Sequence, residues 1–354
     1  MPRASDDTQV LPRVEAEPCV VKHREIRSHR RRRRVRRIAL ILVAVLGLVG
    51  GGALISSWLY VRSVEASIER VDAFDQVPDE SRPMKVVPSA LNMLVLGSDS
   101  GDPDPDDDGA RTDTIMLVHI PADRSSAQLI SIPRDTWLPI PKSADGRHGG
   151  EDGKINQSYE WGGVPLLIQT VESFTKVRID HVGILEFAGF VRIIDAIGGI
   201  DITVDRNFKS IHPPFRQFHK GRQHMDGATA LDYSRQRKQW PDGDFARIRH
   251  QQAVIKAMLD KAASSGLLTN PAQLNAFVRA TADAVTVDRT MSIVDMAMNL
   301  RNLRSNNITF LTSPVSGTGP VGSQSVVFAD FTKASQLYDA VRRDSVAEIV
   351  ATAK

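Results

Sequence analysis

Between Arg37 and Arg62 the chain runs for 24 residues without a charged side chain, IALILVAVLGLVGGGALISSWLYV. A helix of that length is roughly 36 Å long, enough to cross a hydrocarbon layer of about 30 Å with some tilt. Trp58 and Tyr60 fall near its end, where amphipathic rings favour a membrane interface. The arginine run from Arg30 to Arg37 stands directly before it, which predicts a cytoplasmic N-terminus and an extracytoplasmic body. A cleaved signal peptide would carry an apolar region of about 7–15 residues followed by a small-residue cleavage site. Neither is found, so residues 38–61 read as an uncleaved transmembrane signal anchor.

The net charge of +3 and pI of about 9.0 point toward nucleic acid only until the charge is located. Residues 1–37 hold twelve Lys/Arg against five acids, net +7, which leaves 33 against 37, net −4, in residues 38–354. The basic charge therefore belongs to a short cytoplasmic tail. Arginines beside an apolar span are what topology and anionic headgroups favour, so membrane lipids are expected partners and nucleic acid is not. The single cysteine, Cys19, lies in that tail. The body can hold no disulfide, thiolate metal site or cysteine nucleophile. At nearly 300 residues it can be held by its core alone.

A linker over 62–88, with Pro78, Pro83 and Pro88, leads into the body. Apolar runs of strand length follow at 91–97, 114–120, 127–132 and 179–185, with a shorter one at 200–204. Helical periodicity occupies 163–175, 187–197, 244–263, 271–282, 292–303 and 331–349, and short strands are expected at 308–311 and 326–328. No linker interrupts this alternation. It predicts one three-layer α-β-α domain with a central mixed β-sheet over 89–354, preceded by one transmembrane helix.

Polar clusters at strand ends are the candidates for chemistry. Asp99 follows an apolar strand in LVLGSDS, and Arg111 and Asp113 precede the next strand in ARTDTIML. Two strands joined by this loop would bring Asp99 and Asp113 to one sheet edge. Paired carboxylates so placed can hold a hard cation such as Mg²⁺ together with substrate phosphates; aspartates in such loops also serve as ordinary turn and cap residues. The intervening DPDPDDDG is no EF-hand, because counting from Asp104 the twelfth position is Ile115 rather than a bidentate Glu. GEDGKI lacks the spacing of a phosphate-binding Walker loop. His212, His219 and His224 are irregularly spaced for zinc and read as a basic surface loop.

Arginine and lysine are spread over separate loop ends. Arg134 follows a strand in SIPRDTW, KINQSY supplies Lys154 and Asn156, and DYSRQRKQW supplies Arg235 and Arg237, which in an extended segment would point the same way. Asp244, Arg247 and Gln251 stand at i, i+3 and i+7 of the long helix, on one face. Arginine suits multidentate phosphate recognition, and pyrophosphate needs several such partners.

These segments, in order from GSDS and RTDTIMLVHI through SIPRDTWLPIP, KINQSYEWGG, IDHVGILEFAGFVRIIDAIGGIDITV and GRQHMDGATALDYSRQRK to DGDFARIRHQQAVI, resemble the LytR-CpsA-Psr family of cell-wall polymer transferases. The resemblance covers roughly residues 91–259. It implies an α-β-α fold with a long apolar cleft for a polyprenyl chain. It also implies Mg²⁺-dependent transfer of a phosphoryl-linked glycopolymer from a polyprenyl-pyrophosphate carrier to a peptidoglycan acceptor, with a pyrophosphatase side activity. Carried over by position, Asp99 and Asp113 correspond to metal ligands. Arg111, Arg134, Arg247 and Asp244 correspond to catalytic positions, and Lys154, Arg235, Arg237 and Gln251 to pyrophosphate-binding ones. Where the family helix usually reads Arg-Gln-Gln, this chain has His250 before Gln251 and Gln252, and His250 carries no expected role. The base for the acceptor hydroxyl is Asp244 or Asp99. A reading of a different class is a membrane-anchored regulator or lipid-binding scaffold without turnover.

Overall fold

The computed structural model describes residues 58–98, 112–264, 270–300 and 303–352. Most of the predicted anchor, all of the basic tail, and Asp99 and Arg111 lie outside the described residues. Among the described residues no helix is long and apolar enough to cross a membrane. The chain divides into residues 1–60 and a compact unit from Val61 to Lys354.

In chain order the unit begins with a helical stretch α1 (residues 61–67) and continues through β1 (Glu69–Val71), β2 (Leu91–Ser98), β3 (Thr112–Ile120), β4 (Ala127–Ile132), β5 (Thr136–Ile140), β6 (Glu151–Lys154), α2 (Ile155–Thr175), β7 (His181–Glu186) and α3 (Phe187–Ala196). It proceeds with β8 (Ile200–Val204), β9 (Phe208–Lys209), β10 (Gln217–Phe218), β11 (Gly221–Met225), α4 (Gly227–Arg235), α5 (Asp244–Ser264), α6 (Pro271–Ala282) and β12 (Val285–Asp288). It ends with α7 (Ile293–Leu300), β13 (Ile308–Thr312), β14 (Val315–Val321), β15 (Gln324–Ala329), α8 (Phe331–Arg342) and α9 (Val346–Thr352).

Seven strands form a mixed central sheet in the order β1-β12-β7-β2-β3-β4-β13. β2, β3 and β4 run antiparallel to one another, while β7 is parallel to β2 and β13 to β4. Strand alternation distributes the side chains to two cores. Leu94, Leu96, Ile115 and Leu117 face one core, closed by α2 and α8 through Leu167, Ile168, Val171 and Tyr338. Met116, Val118 and Leu129 face the other, against Met296 of α7 and Ile255 of α5. A third apolar cluster joins α3, α4 and α5 to the β8–β11 ribbon through Ile194, Ile202, Tyr233 and Val254. A second sheet, β14-β15-β5-β6, stands apart from the first. The expected mixed α/β sandwich is present.

Helix α4 and strands β5, β6, β11, β12 and β14 are not among the expected elements, and three expected segments take a different form. The helix expected over 163–175 is present as the second part of α2; an unexpected first part begins at Ile155, and Gly162 and Gly163, which leave helical geometry, divide the two. Gly163 has φ of 62°, a conformation that glycine adopts without steric cost. The helix expected over 331–349 is broken at Asp344, which has φ of 61°. The 62–88 stretch, expected as a linker, contributes to the domain. β1 pairs with β12, Ala73 and Val77 enter the first core, and Arg82 makes a 2.8 Å ion pair with Glu172, whose side chain is 2% exposed.

Candidate functional site

The predicted site residues that are described gather around Asp113 at the start of β3 and Arg134 after β4. Ser98 at the end of β2 pairs with Thr112 at the start of β3, so these two described residues stand side by side at one end of the sheet. Asp113 is the next residue of β3. After β4, Pro133 turns the chain: Thr136 donates from its backbone and its hydroxyl to the Pro133 carbonyl. Asn156 N–H donates to the Arg134 carbonyl, tying the start of α2 to this turn. Arg134, only 5% exposed, is thereby aimed at Asp113, and its Nη1 donates to Asp113 Oδ1.

From the other side α5 supplies Asp244 and Arg247, three residues apart and so on one face. Arg247 Nη1 stands 3.7 Å from Asp113 Oδ1, and its Nη2 2.6 Å from Asp244 Oδ1. Lys154, N-terminal cap of α2, pairs with Asp135 at 3.0 Å, and Arg134 Nε lies 3.8 Å from the same Asp135. The result is an alternating chain of charge: Asp244, Arg247, Asp113, Arg134, Asp135, Lys154. Asp135 was not singled out in the sequence; its position directly after Arg134 was the only signal.

Arg237 adds a further cation within electrostatic reach of Asp113 and Arg247. Burial would raise the Asp113 carboxyl, but Arg247 and Arg134 outweigh it and hold its pKa below the ordinary value. Burial acts on Arg247 in the opposite sense to its charge: it and the neighbouring Arg134 and Arg237 lower its pKa, against the pull of Asp244 and Asp113. The cluster is also short of hydrogen bonds. Among the described residues Arg247 Nε and both carboxylate oxygens of Asp244 are buried without a hydrogen-bond partner, the close Arg247–Asp244 contact compensating charge without aligning an N–H. Buried polar atoms so left favour a ligand that completes them.

Two cavities meet at this cluster. One, about 100 Å³, lies between the sheet and α3–α5 and is walled by Val95, Phe187, Phe190, Leu231, Val254 and Ile255. Asp113, Arg235, Arg247 and Gln251 also line it. The other, about 730 Å³, is lined mostly by charged and polar residues, among them Arg134, Lys154, Asn156, Arg237 and Asp244, together with Thr318, Gln324 and Ser325 of the β14–β15 hairpin. The arginines and aspartates thus partition an apolar pocket from a polar cleft. The periodicity over 187–197 made the apolar face of α3 legible, but could not distinguish residues lining a pocket from residues filling a core, and α4 was not expected from the sequence.

Contrary to the expectation of one extended segment with both side chains on the same side, Arg235 and Arg237 are separated by the end of a helix. Arg235 is the last residue of α4 and Gln236 is extended, with ψ of 128°, so the two side chains border different cavities. His250 stays out of both. It is 5% exposed and packs between the Tyr233 and Trp240 rings, with centroids 4.5 and 4.6 Å away. Its Nδ1 lies 3.3 Å from the acceptor-only Gln236 carbonyl, which places the proton on that nitrogen. Burial depresses its pKa to about 4, so the ring is neutral where the resemblance leads one to expect an arginine.

Among the described residues no group of three or more His, Cys, Asp or Glu converges to hold a metal. The donor set nevertheless fits Mg²⁺, which takes one or two carboxylates and completes its shell with phosphate oxygens and water. Asp113 is a hard oxygen donor kept ionised by its arginines and bordering a cavity with further cationic residues.

Comparison with known proteins returns one family. The LytR_cpsA_psr family model matches residues 59–343. The cell wall biosynthesis protein LcpA of Corynebacterium glutamicum is 35% identical over 249 residues, 64% of this chain and 47% of that protein. The chain thus spans about half the length of this relative. A polyisoprenyl-teichoic acid–peptidoglycan teichoic acid transferase TagU of Bacillus cereus is 31% identical over 278 residues, 75% of this chain and 85% of that protein. Among solved structures, Bacillus subtilis TagV superposes with a TM-score of 0.60 at 25% identity, covering 73% of this chain and 97% of that one.

Proposed function

The chain belongs to the LytR-CpsA-Psr family, and from that premise we propose that it transfers a phosphoryl-linked glycopolymer from a polyprenyl-pyrophosphate carrier to peptidoglycan. The observation that carries the proposal is the buried cluster of arginines and aspartates at the junction of an apolar pocket and a polar cleft, in which Arg247 Nε and both Asp244 carboxylate oxygens lack hydrogen bonds. A lipid, a pyrophosphate and a glycan joined in that order match the apolar, cationic and polar compartments in the same order. The relative named TagU, a teichoic acid transferase to peptidoglycan, supports the same substrate classes.

In this reading the acceptor sugar hydroxyl attacks the phosphorus bearing the glycan. The bond from that phosphorus to the bridging oxygen breaks, and polyprenyl phosphate leaves with the electron pair. A phosphodiester then joins glycan to peptidoglycan. Phosphoryl transfer of this kind depends on positioning and charge stabilisation more than on covalent chemistry. Arg134, Arg237 and Lys154 face the cleft side, and Arg235, Arg247 and Gln251 the lipid side. The proton of the attacking hydroxyl goes to Asp244 or Asp99; Asp244 brings carboxylate oxygens without hydrogen-bond donors. Asp113, with Asp99, would hold Mg²⁺, which supplies charge neutralisation to the phosphates when bound. Water in place of the sugar hydroxyl would give pyrophosphatase activity. Residues 1–37 as cytoplasmic tail and 38–61 as anchor would keep this domain, outside the cell, at the surface that holds the carrier lipid.

The test uses the full chain reconstituted with a polyprenyl-pyrophosphate-linked disaccharide, peptidoglycan and Mg²⁺, with product read by mass. Arg134→Ala should lower turnover by roughly 10²–10³-fold, the range for losing one preorganised charge donor. Leu231→Trp, which intrudes on the apolar pocket, should weaken use of long-chain carriers more than short-chain ones. No phosphodiester product from the unaltered chain, with neither variant changing anything, would refute the enzyme reading.

A further inference from the structure

Gln236 stands between two arginines of the site, yet it is fully buried and touches neither cavity. Its side-chain amide is the hub of a closed polar network. Nε2 donates toward Asp232 Oδ1 at 2.6 Å, the Asp232 carbonyl at 2.9 Å and Ser210 Oγ at 2.9 Å. Oε1 accepts from Gln239 Nε2 at 2.5 Å and from Ile211 N–H at 3.4 Å. Ser210 in turn donates to Asp232 Oδ1 at 2.6 Å. The Gln236 carbonyl accepts from His250 of α5, so the residue is held from three segments at once.

A buried amide costs free energy unless it is fully paired, and an apolar side chain would fill the same space with less at stake. What the amide adds is direction. The network fixes Gln236 inward at the point where α4 gives way to extended chain, and so holds the backbone from which both neighbouring side chains leave, Arg235 from the last helical turn and Arg237 from the chain after it. Arg235 is set on the wall of the apolar pocket and Arg237 on the wall of the polar cleft. The same backbone point is clamped to α5, which carries Arg247, through His250. We infer that Gln236, with Ser210, Asp232 and His250, is a positioning element that fixes Arg235 and Arg237 on the two sides of the bound phosphates. The inference rests on the transfer reading for its consequence in turnover.

A double-mutant cycle tests it, because residues that act through one another are not additive. Gln236→Met keeps the volume and removes the amide. In the full chain it should lower kcat roughly 10- to 100-fold, the scale of a misplaced charge donor, and weaken inorganic pyrophosphate binding measured by calorimetry. In an Arg235→Ala or Arg237→Ala background the same substitution should cost less than about threefold in at least one of the two. Ser210→Ala, a smaller perturbation, serves if Gln236→Met does not fold, with the same pattern at lower amplitude. Equal losses in all backgrounds, or no loss in any, would overturn the inference, since a purely structural role gives additive effects. If the unaltered chain makes no transfer product, the transfer reading fails by itself, and the pyrophosphate-binding cycle still decides whether Gln236 positions the arginines.

Discussion

Replacing Asp113 by Asn removes the carboxylate that, among the described residues, stands between Arg134 and Arg247, while keeping the shape of the side chain. Arg134 donates to Asp113 Oδ1 and Arg247 stands 3.7 Å from it; at an effective dielectric near 20 the second contact alone is worth about 4 kcal/mol before desolvation. Removing one partner of a buried pair typically costs about 3–5 kcal/mol, because the remaining charge stays buried. With Asp244 still beside Arg247, the lower end applies, roughly 3 kcal/mol, or some 6–10 °C in Tm for a domain of this size. The site then holds two guanidiniums with less compensation, so an added anion should restore more than it gives the unaltered chain. In EDTA, differential scanning calorimetry should show Asp113→Asn melting lower and gaining more from inorganic pyrophosphate than the parent. With Mg²⁺ present the order should reverse, since only the parent retains the carboxylate that would hold the cation. A variant that melts with the parent and gains equally from pyrophosphate in EDTA would refute the charge-compensation argument at its root.

Arg82→Ala should cost about 3–5 kcal/mol in urea denaturation, because Glu172 is left as a buried uncompensated carboxylate, and adding Glu172→Gln should recover part of the loss while turnover of the folded protein stays unchanged. His250→Gln should flatten the acid limb of the stability curve. The His250 pKa is about 4 in the folded chain against 6.5 for an ordinary imidazole, so the unfolded chain takes up the proton first and stability is lost as pH falls from about 6.5 toward 4. Between pH 7 and pH 5 the parent should therefore lose about 2 kcal/mol more than the variant, and identical pH slopes would show that His250 is not held neutral.

The central strands were legible because each is a largely apolar run long enough to register, as a strand of a sheet covered on both faces should be. Expected runs at 91–97 and 127–132 match Leu91–Ser98 and Ala127–Ile132. Two-residue strands such as Phe208–Lys209 carry no alternation at all. The first turns of α2 were hidden for a different reason: INQSYEW presents Asn156, Gln157 and Glu160 to the polar cleft, so its outward face lacks the apolar period a helix search depends on, and Gly162 and Gly163 then cut the pattern. Function itself obscured the local signal there, which is where a departure from sequence rules is to be expected. In α5 the apolar residues serve two cores, Val254 one and Ile255 the other.

The charge of the site was legible residue by residue, but its wiring was not. Asp135, just before β5, pairs with Lys154 at the end of β6, a contact fixed by the antiparallel register that sets Trp137 opposite Lys154 and not by sequence spacing. The wiring changes what the net charge means. The chain beyond the basic tail is acidic, −4 over residues 38–354, so its surface as a whole does not attract polyanions. Within the cluster Arg134, Lys154, Arg237 and Arg247 face three carboxylates, Asp113, Asp135 and Asp244, and the balance is reversed. A cationic focus set in a low-dielectric cleft on an acidic body raises the local concentration of an anion at one place only. That selectivity holds only if each arginine keeps its position against the repulsion of the others, which is why a neutral His250 and a fully paired Gln236 behind the cluster serve the site better than another charge would.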